Sequence, residues 1–295
     1  MQVEILPGVG NAAHADPALR DAPLCPENFL NGGSQTRVGR GMGKNGAGRS
    51  IEGGKGHIPI KRDDCTMIHL LDLLVHPERF FSTLEGKEPD LKIPAAIALA
   101  GAVVAAVAGY AQSSLFADMF AEMGAGAGMG AFMGIMGAAG AFLGFLIIWW
   151  LVMAGVFHVI SMAFKGTGKF TRTLESTGYG LLPTVIGSII STLILFSYLP
   201  RIAVPVVRDL QDPVAIQKAM QELMLDPAMK EFTQVSIAIS ILFLIWSANI
   251  WIFGVRQARG ITLKHACITV IIPVAVYILY MVYMLVSGIP LPGGA

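Results

Sequence analysis

The sequence predicts an all-α polytopic membrane protein: a bundle of five transmembrane helices with interfacial amphipathic helices. Three observations lead there. The chain is 54% hydrophobic and only 14% charged, with a mean hydropathy of +0.63, whereas a soluble domain covers its surface with about 25% charge. Five apolar stretches lie between residues 93 and 288, each long enough for the roughly 20 residues a helix needs to cross the hydrocarbon layer. The short connections between them concentrate Lys and Arg on one side, which selects a single threading.

The same composition excludes other classes. A net charge of +1 supplies no basic field to displace counterions from phosphate, so no nucleic-acid partner is expected. Cys25, Cys65 and Cys267 are odd in number and far apart, without the C-x-x-C spacing of a zinc or redox site. Residues 1–59 are polar and Gly-rich and lack the apolar core of a secretory signal.

Residues 1–62 scatter twelve glycines among Arg and Lys, too little apolar surface to offset the entropy of ordering, and are expected to be disordered. The abrupt change that follows also raises the expectation that the native start is Met67. The sequence GKNGAGRS (residues 43–50) has the glycine spacing of a phosphate loop. It lacks the preceding strand and following helix that such a loop needs, so it reads as chance.

Residues 63–92 are expected to form an amphipathic segment along the cytoplasmic membrane surface. Ile68, Leu71 and Val75 recur at helical spacing opposite His69, Asp72 and His76. Pro77 stops that helix and opens another, with Phe80, Phe81 and Leu84 turned to lipid and Glu78, Arg79 and Lys87 to water. Pro77, Phe80, Phe81 and Leu84 are thus the candidate membrane-interface residues, the alternative being a helix pair packed on protein.

The transmembrane domain, residues 93–288, has spans expected at 93–115, 129–164, 178–199, 235–255 and 266–287. Lys165, Lys169 and Arg172 lie between the second and third; Arg256, Arg259 and Lys264 lie between the fourth and fifth. Both connections are therefore expected to be cytoplasmic, together with the N-terminus. The link after the first span, with Asp118 and Glu122, and the tail over 289–295 fall on the far side. Within the long connection over 200–232, Asp212 as cap and Pro213 at the first position predict a further interfacial helix bearing Ile216, Ala219, Met220, Leu223 and Met224 on one face.

The second span carries the small-x-x-x-small pairs Gly130/Gly134 and Gly140/Gly144, a spacing that lets helix backbones approach closely in lipid. In the third, Thr184, Ser188, Ser191 and Thr192 share a face with Gly187, and Pro183 interrupts the helix near its start. Gly130, Gly134, Gly140, Gly144, Pro183, Gly187 and Ser188 are the candidate helix-packing residues. A substrate path along the polar face is the sharper alternative. His158 with Ser188 could form a hydrolase dyad in principle, yet no Asp or Glu in the spans would orient the imidazole. No metal-ligand pair shares a helix face, and no cofactor is implied. Trp149, Trp150, Trp246 and Trp251 are expected to anchor span ends at headgroup level.

HPERFF (residues 76–81), followed by five spans with GYGLLPTVIGS (residues 178–188) opening the third, resembles the Yip1-domain family of integral membrane proteins over residues 67–288. Eukaryotic relatives are associated with Rab GTPases, vesicle traffic and membrane shaping, and carry a D-L-Y-G-P-type motif absent from this chain. The resemblance is therefore to a prokaryotic-type member and does not extend to a GTPase partner. It implies a multi-pass protein of the cell membrane, or of an endomembrane in a eukaryote. The expected function is a non-catalytic scaffold or adaptor whose partners are the lipid bilayer, other membrane proteins or a second copy of itself. A subunit of a small-solute or ion transporter is the alternative.

Overall fold

The computed structural model describes residues 70–119, 126–207 and 212–287. Residues 72–295 form one compact unit; of the other, residues 1–71, only Leu70 and Leu71 are described. The Gly-rich segment over 1–62 with its GKNGAGRS motif, the alternative start at Met67, and the tail over 289–295 lie outside the described residues.

Among those residues every regular element is helical. A helical stretch ends at Val75, and α1 (Pro77–Ser82) follows with Pro77 in its first turn, where proline loses no hydrogen bond and its fixed φ suits the helix. Then come α2 (Lys92–Met119) and α3 (Gly126–Gly144). The latter continues through a π-helical turn (Phe145–Val152) into α4 (Met153–Ala163). After α5 (Phe170–Gly180), a turn at Leu181 and Pro183 in the first turn of α6 (Leu182–Tyr198) mark a joint between two helices of one span. The chain ends in α7 (Pro213–Leu225), α8 (Pro227–Arg259) and α9 (Leu263–Ser287).

Five stretches are long and apolar enough to cross a bilayer: Lys92–Phe116, Gly130–Ala163, Phe170–Arg201, Pro227–Arg259 and Leu263–Val286. They match the expected spans closely, except that the third and the fourth each start eight residues earlier than expected. At most 33% of each span's apolar window is buried in protein, so most of that surface must be covered by hydrocarbon.

The long helix α8 is the centre of the bundle, packing on α1, α4, α5, α6, α7 and α9, with Ile250, Trp251 and Val255 fully buried. Its ends are built locally. Asp226 accepts a hydrogen bond from the Met229 N–H, an N-cap. Gly260 leaves the helix at φ 63°, a left-handed conformation that costs glycine little. At the opposite end of the bundle from Gly260, Asp212 caps α7 through the Val214 N–H. The face of α7 with Ile216, Ala219 and Leu223 docks on Leu115, Met119, Ile202, Val207 and Ala228, so this amphipathic face is closed by protein.

Helices α2 and α3 form the closest pair. A Cβ at Gly109 would stand 2.7 Å from the Gly137 carbonyl oxygen, and one at Gly137 would stand 2.8 Å from that of Gly109. Gly134 lies under the Tyr110 ring, where a Cβ would come within 2.6 Å of it. The Gly140/Gly144 pair, expected at a helix contact, has nothing within 4 Å of either position, and Gly130 is half-buried. Spacing alone shows that a backbone is approachable, not which turn meets a partner. Gly109→Leu is therefore expected to destabilise the bundle by about 1–3 kcal/mol through overpacking, while Gly140→Leu leaves it unchanged. Unfolding midpoints in detergent distinguish the two.

Candidate functional site

Charged side chains gather where α1, the 164–169 connection, α5 and the end of α8 meet, here called the basic end. Two of them are deeply buried, and each is held by the backbone of a segment distant in sequence.

The first is Glu175 on α5, 2% exposed. Its Oε2 accepts from Arg172 Nη1 at 2.5 Å, one helical turn away, and its Oε1 accepts from the Asp90 N–H at 3.1 Å. Arg172 Nη2 in turn donates to the carbonyls of Leu84, at 3.1 Å, and Lys87. One ion pair thus pins the connection between α1 and α2 to the third span. The bonds to the backbone satisfy groups that burial would otherwise leave costly.

The second is Arg259, the last residue of α8, also 2% exposed. Nε donates to Ser161 Oγ at 2.8 Å, Nη2 to the Gly166 carbonyl at 2.6 Å and Nη1 to the Gly168 carbonyl. The Thr167 N–H returns a bond to the Arg259 carbonyl at 3.1 Å. The planar guanidinium donates in several directions at once, so a single side chain closes the connection between the second and third spans over the fourth. A Cβ at Gly168 would overlap the Ala258 carbonyl oxygen, which explains a glycine there. No carboxylate pairs with Arg259 among the described residues.

Between these two clusters lies an open cleft of about 380 Å³. Glu85, Lys87, Glu88, Lys169 and Gln257 line it, over a floor that includes Phe81, Ser176 and Gly254. Lining groups of both signs suit contact with polar chain segments better than with a single small ion.

The expected membrane-interface residues are placed differently. Phe80 and Phe81 are 5% and 3% exposed, and Pro77 is buried. The two rings stand edge-on to Tyr179 at 5.0 and 6.3 Å, and Arg256 on α8 reaches Glu78 at 2.7 Å. The apolar face of α1 therefore seals against α5 and α8 and is not presented to lipid; Leu84 is half-buried. Helical amphipathicity identifies the buried face but not its partner.

In the third span Pro183 is buried, and a Cβ at Gly187 would stand 2.8 Å from the Phe243 ring of α8. Ser188 donates within its own helix, to the Val185 carbonyl, while Thr184 Oγ1 and Ser247 Oγ form the cross-helix bond at 2.8 Å. His158 Nδ1 lies 3.2 Å from Thr173 Oγ1, fifteen residues before Ser188, or roughly 20 Å along a helical path. The structure does not bring His158 and Ser188 together. Among the described residues no three His, Cys, Asp or Glu side chains converge as metal ligands.

Three of the four tryptophans also depart from expectation, whereas Trp246 is exposed. Trp149 and Trp150 sit inside the π-helical turn. Trp150 donates to the Leu174 carbonyl at 3.0 Å and Trp251 to that of Thr177 at 2.9 Å, while Trp149 packs edge-on to Tyr277 at 5.1 Å. These indoles join helices; buried Trp N–H groups need such acceptors.

Sequence reasoning took Arg172 and Arg259 as loop charges and passed over Glu175, Ser161, Gly166 and Gly168. The Arg172/Glu175 spacing of one helical turn was the available signal for the first cluster. Arg259 gave none, because its acceptors are two backbone carbonyls and a serine hydroxyl far away in sequence.

A model of the Yip1 domain family matches residues 71–284. An uncharacterised protein of the archaeon Methanocaldococcus jannaschii is 34% identical over 125 residues, covering 42% of this chain and 86% of the archaeal protein. No solved structure matches significantly. With five spans and a family match over most of its length, the chain belongs to the Yip1-domain family of integral membrane proteins.

Proposed function

We propose that this Yip1-family chain is a non-catalytic membrane scaffold or adaptor, with its basic end and N-terminus in the cytoplasm, that holds partner membrane proteins or a second copy of itself beside the bilayer. The observation that carries the reading is the use made of buried charge: Arg172, Glu175 and Arg259 each bond to neighbouring backbone. None is left aimed at a reacting group. The cleft beside them offers exposed groups of both signs to a partner. Within the lead-in, α1 packs on α8, which ties the segment before the first span to the transmembrane domain.

Transport along the third span is the second reading, favoured by the buried hydroxyls of Ser191 on that span and Ser236 on α8, which have no hydrogen-bond partner among the described residues. Liposomes containing the purified chain separate the two. The scaffold reading expects ion and solute flux no higher than in empty vesicles; flux that Thr184→Ala or Ser188→Ala abolishes overturns it. In cells, a photo-crosslinking residue at Gln257 is expected to capture a protein from the cleft, and Gln217, on the opposite end, is not.

A further inference from the structure

We infer that the α4/α9 side of the basic end is a docking surface for the phosphate headgroup of an anionic phospholipid. The inference stands apart from the scaffold reading.

Residues 126–174 and 232–287 contain no Asp or Glu, so α4, its connection to α5, the end of α8 and all of α9 bring no acid of their own to this end. Its cations are not equally available. Arg172 is paired with Glu175 and Arg256 with Glu78, whereas Lys165, Lys264 and Arg259 have no carboxylate partner among the described residues. Lys169 is also unpaired among the described residues but shares the cleft with Glu85 and Glu88, which leaves the other three as the cations of this side.

The fold brings those three together. Phe164 and His265 stack face to face at 4.6 Å, which sets the adjoining Lys165 and Lys264 on one rim. Arg259 binds the carbonyls of Gly166 and Gly168 directly behind Lys165. Three of its five N–H donors are used, and the buried positive charge lacks a counterion. Lys165 and Lys264 are exposed, and exposed Met162, Val159, Leu263 and Ile268 continue from this rim along the spans. A cationic rim directly above lipid-facing apolar side chains matches an amphiphile with an anionic head and acyl tails. A soluble anion would use only the rim.

The test is lipid enrichment around the full chain in nanodiscs of mixed phosphatidylglycerol and phosphatidylcholine, measured by mass spectrometry of lipids retained on mild extraction. Wild type is expected to retain phosphatidylglycerol above its bulk share. Lys165→Gln/Lys264→Gln is expected to lose that preference, roughly fivefold per lysine, with an unchanged unfolding midpoint in pure phosphatidylcholine. Lys87→Gln/Lys92→Gln, on the acid-bearing side, keeps it. Equal retention in wild type and the Lys165/Lys264 variant overturns the proposal. So does full displacement of phosphatidylglycerol by inorganic phosphate, which would make the rim a site for free anions.

Discussion

Arg259→Ala is expected to release the connection between the second and third spans and to lower the stability of the bundle by about 2–5 kcal/mol. The magnitude follows from what is left behind. The Gly166 and Gly168 carbonyls and the Ser161 hydroxyl all lose a charged donor, and each buried acceptor without a partner costs about 1–3 kcal/mol. Arg259→Lys should recover little, because one ammonium cannot replace a planar fork that donates along several directions. Ser161→Ala removes the bond accepted from Arg259 and the local one donated to the His158 carbonyl, leaves the Gly166 and Gly168 carbonyls with their donor, and should cost only about 0.5–1.5 kcal/mol per bond. The check is denaturant unfolding in detergent, combined with proteolysis at Lys165 or Lys169. Faster cleavage there in Arg259→Ala, with little change elsewhere, identifies the loosened segment. An Arg259→Ala chain as stable as Ser161→Ala would show that the guanidinium is not what closes this end.

Trp251→Ala is the second large effect, expected to cost about 3–5 kcal/mol, the range for removing a fully buried large aromatic side chain. The indole projects from the C-terminal half of α8 with no exposed surface, tilted against Phe157 at 5.4 Å, and donates to the Thr177 carbonyl. It fits because Gly180 is a glycine: a Cβ there would overlap the ring. Gly180→Val should therefore destabilise as well, by about 1–3 kcal/mol from overpacking. Combining it with Trp251→Ala should give less than the sum, since the two changes share one cavity. Unfolding midpoints for the two single variants and the double variant measure that coupling. Strict additivity would mean that ring and glycine do not meet.

The five crossings were legible because length and hydropathy alone satisfy the solvent, hydrocarbon, in which the helices sit. The Asp212 cap of α7 was legible because capping chemistry is local. What was lost depends on neighbours. Residues 170–177 looked like connection because Thr173, Glu175, Ser176 and Thr177 are polar, yet they form the buried face of α5. They stay hydrogen-bonded through Thr173 and the Asp90 N–H. Phe80 and Phe81 announced a buried face without saying whether lipid or α5 and α8 would cover it. The glycine spacing of the second span marked Gly134 and Gly140 alike, although only Gly134 meets a partner. The π-helical turn at Phe145–Val152 has no sequence signature in an unbroken apolar run. Such turns arise where an inserted residue is accommodated within a helix, and here it carries Trp149 and Trp150 onto α9 and α5.

The threading of the chain is tested most directly by single cysteines placed in a background with Cys25, Cys65 and Cys267 changed to Ser. Lys169→Cys and Lys264→Cys are each labelled in sealed vesicles with a reagent that cannot cross the membrane, with Gln217→Cys as the reporter for the other end. Five crossings predict that Lys169→Cys and Lys264→Cys react from the same side and Gln217→Cys from the opposite one. Labelling of Lys169→Cys and Lys264→Cys from different sides would contradict the account.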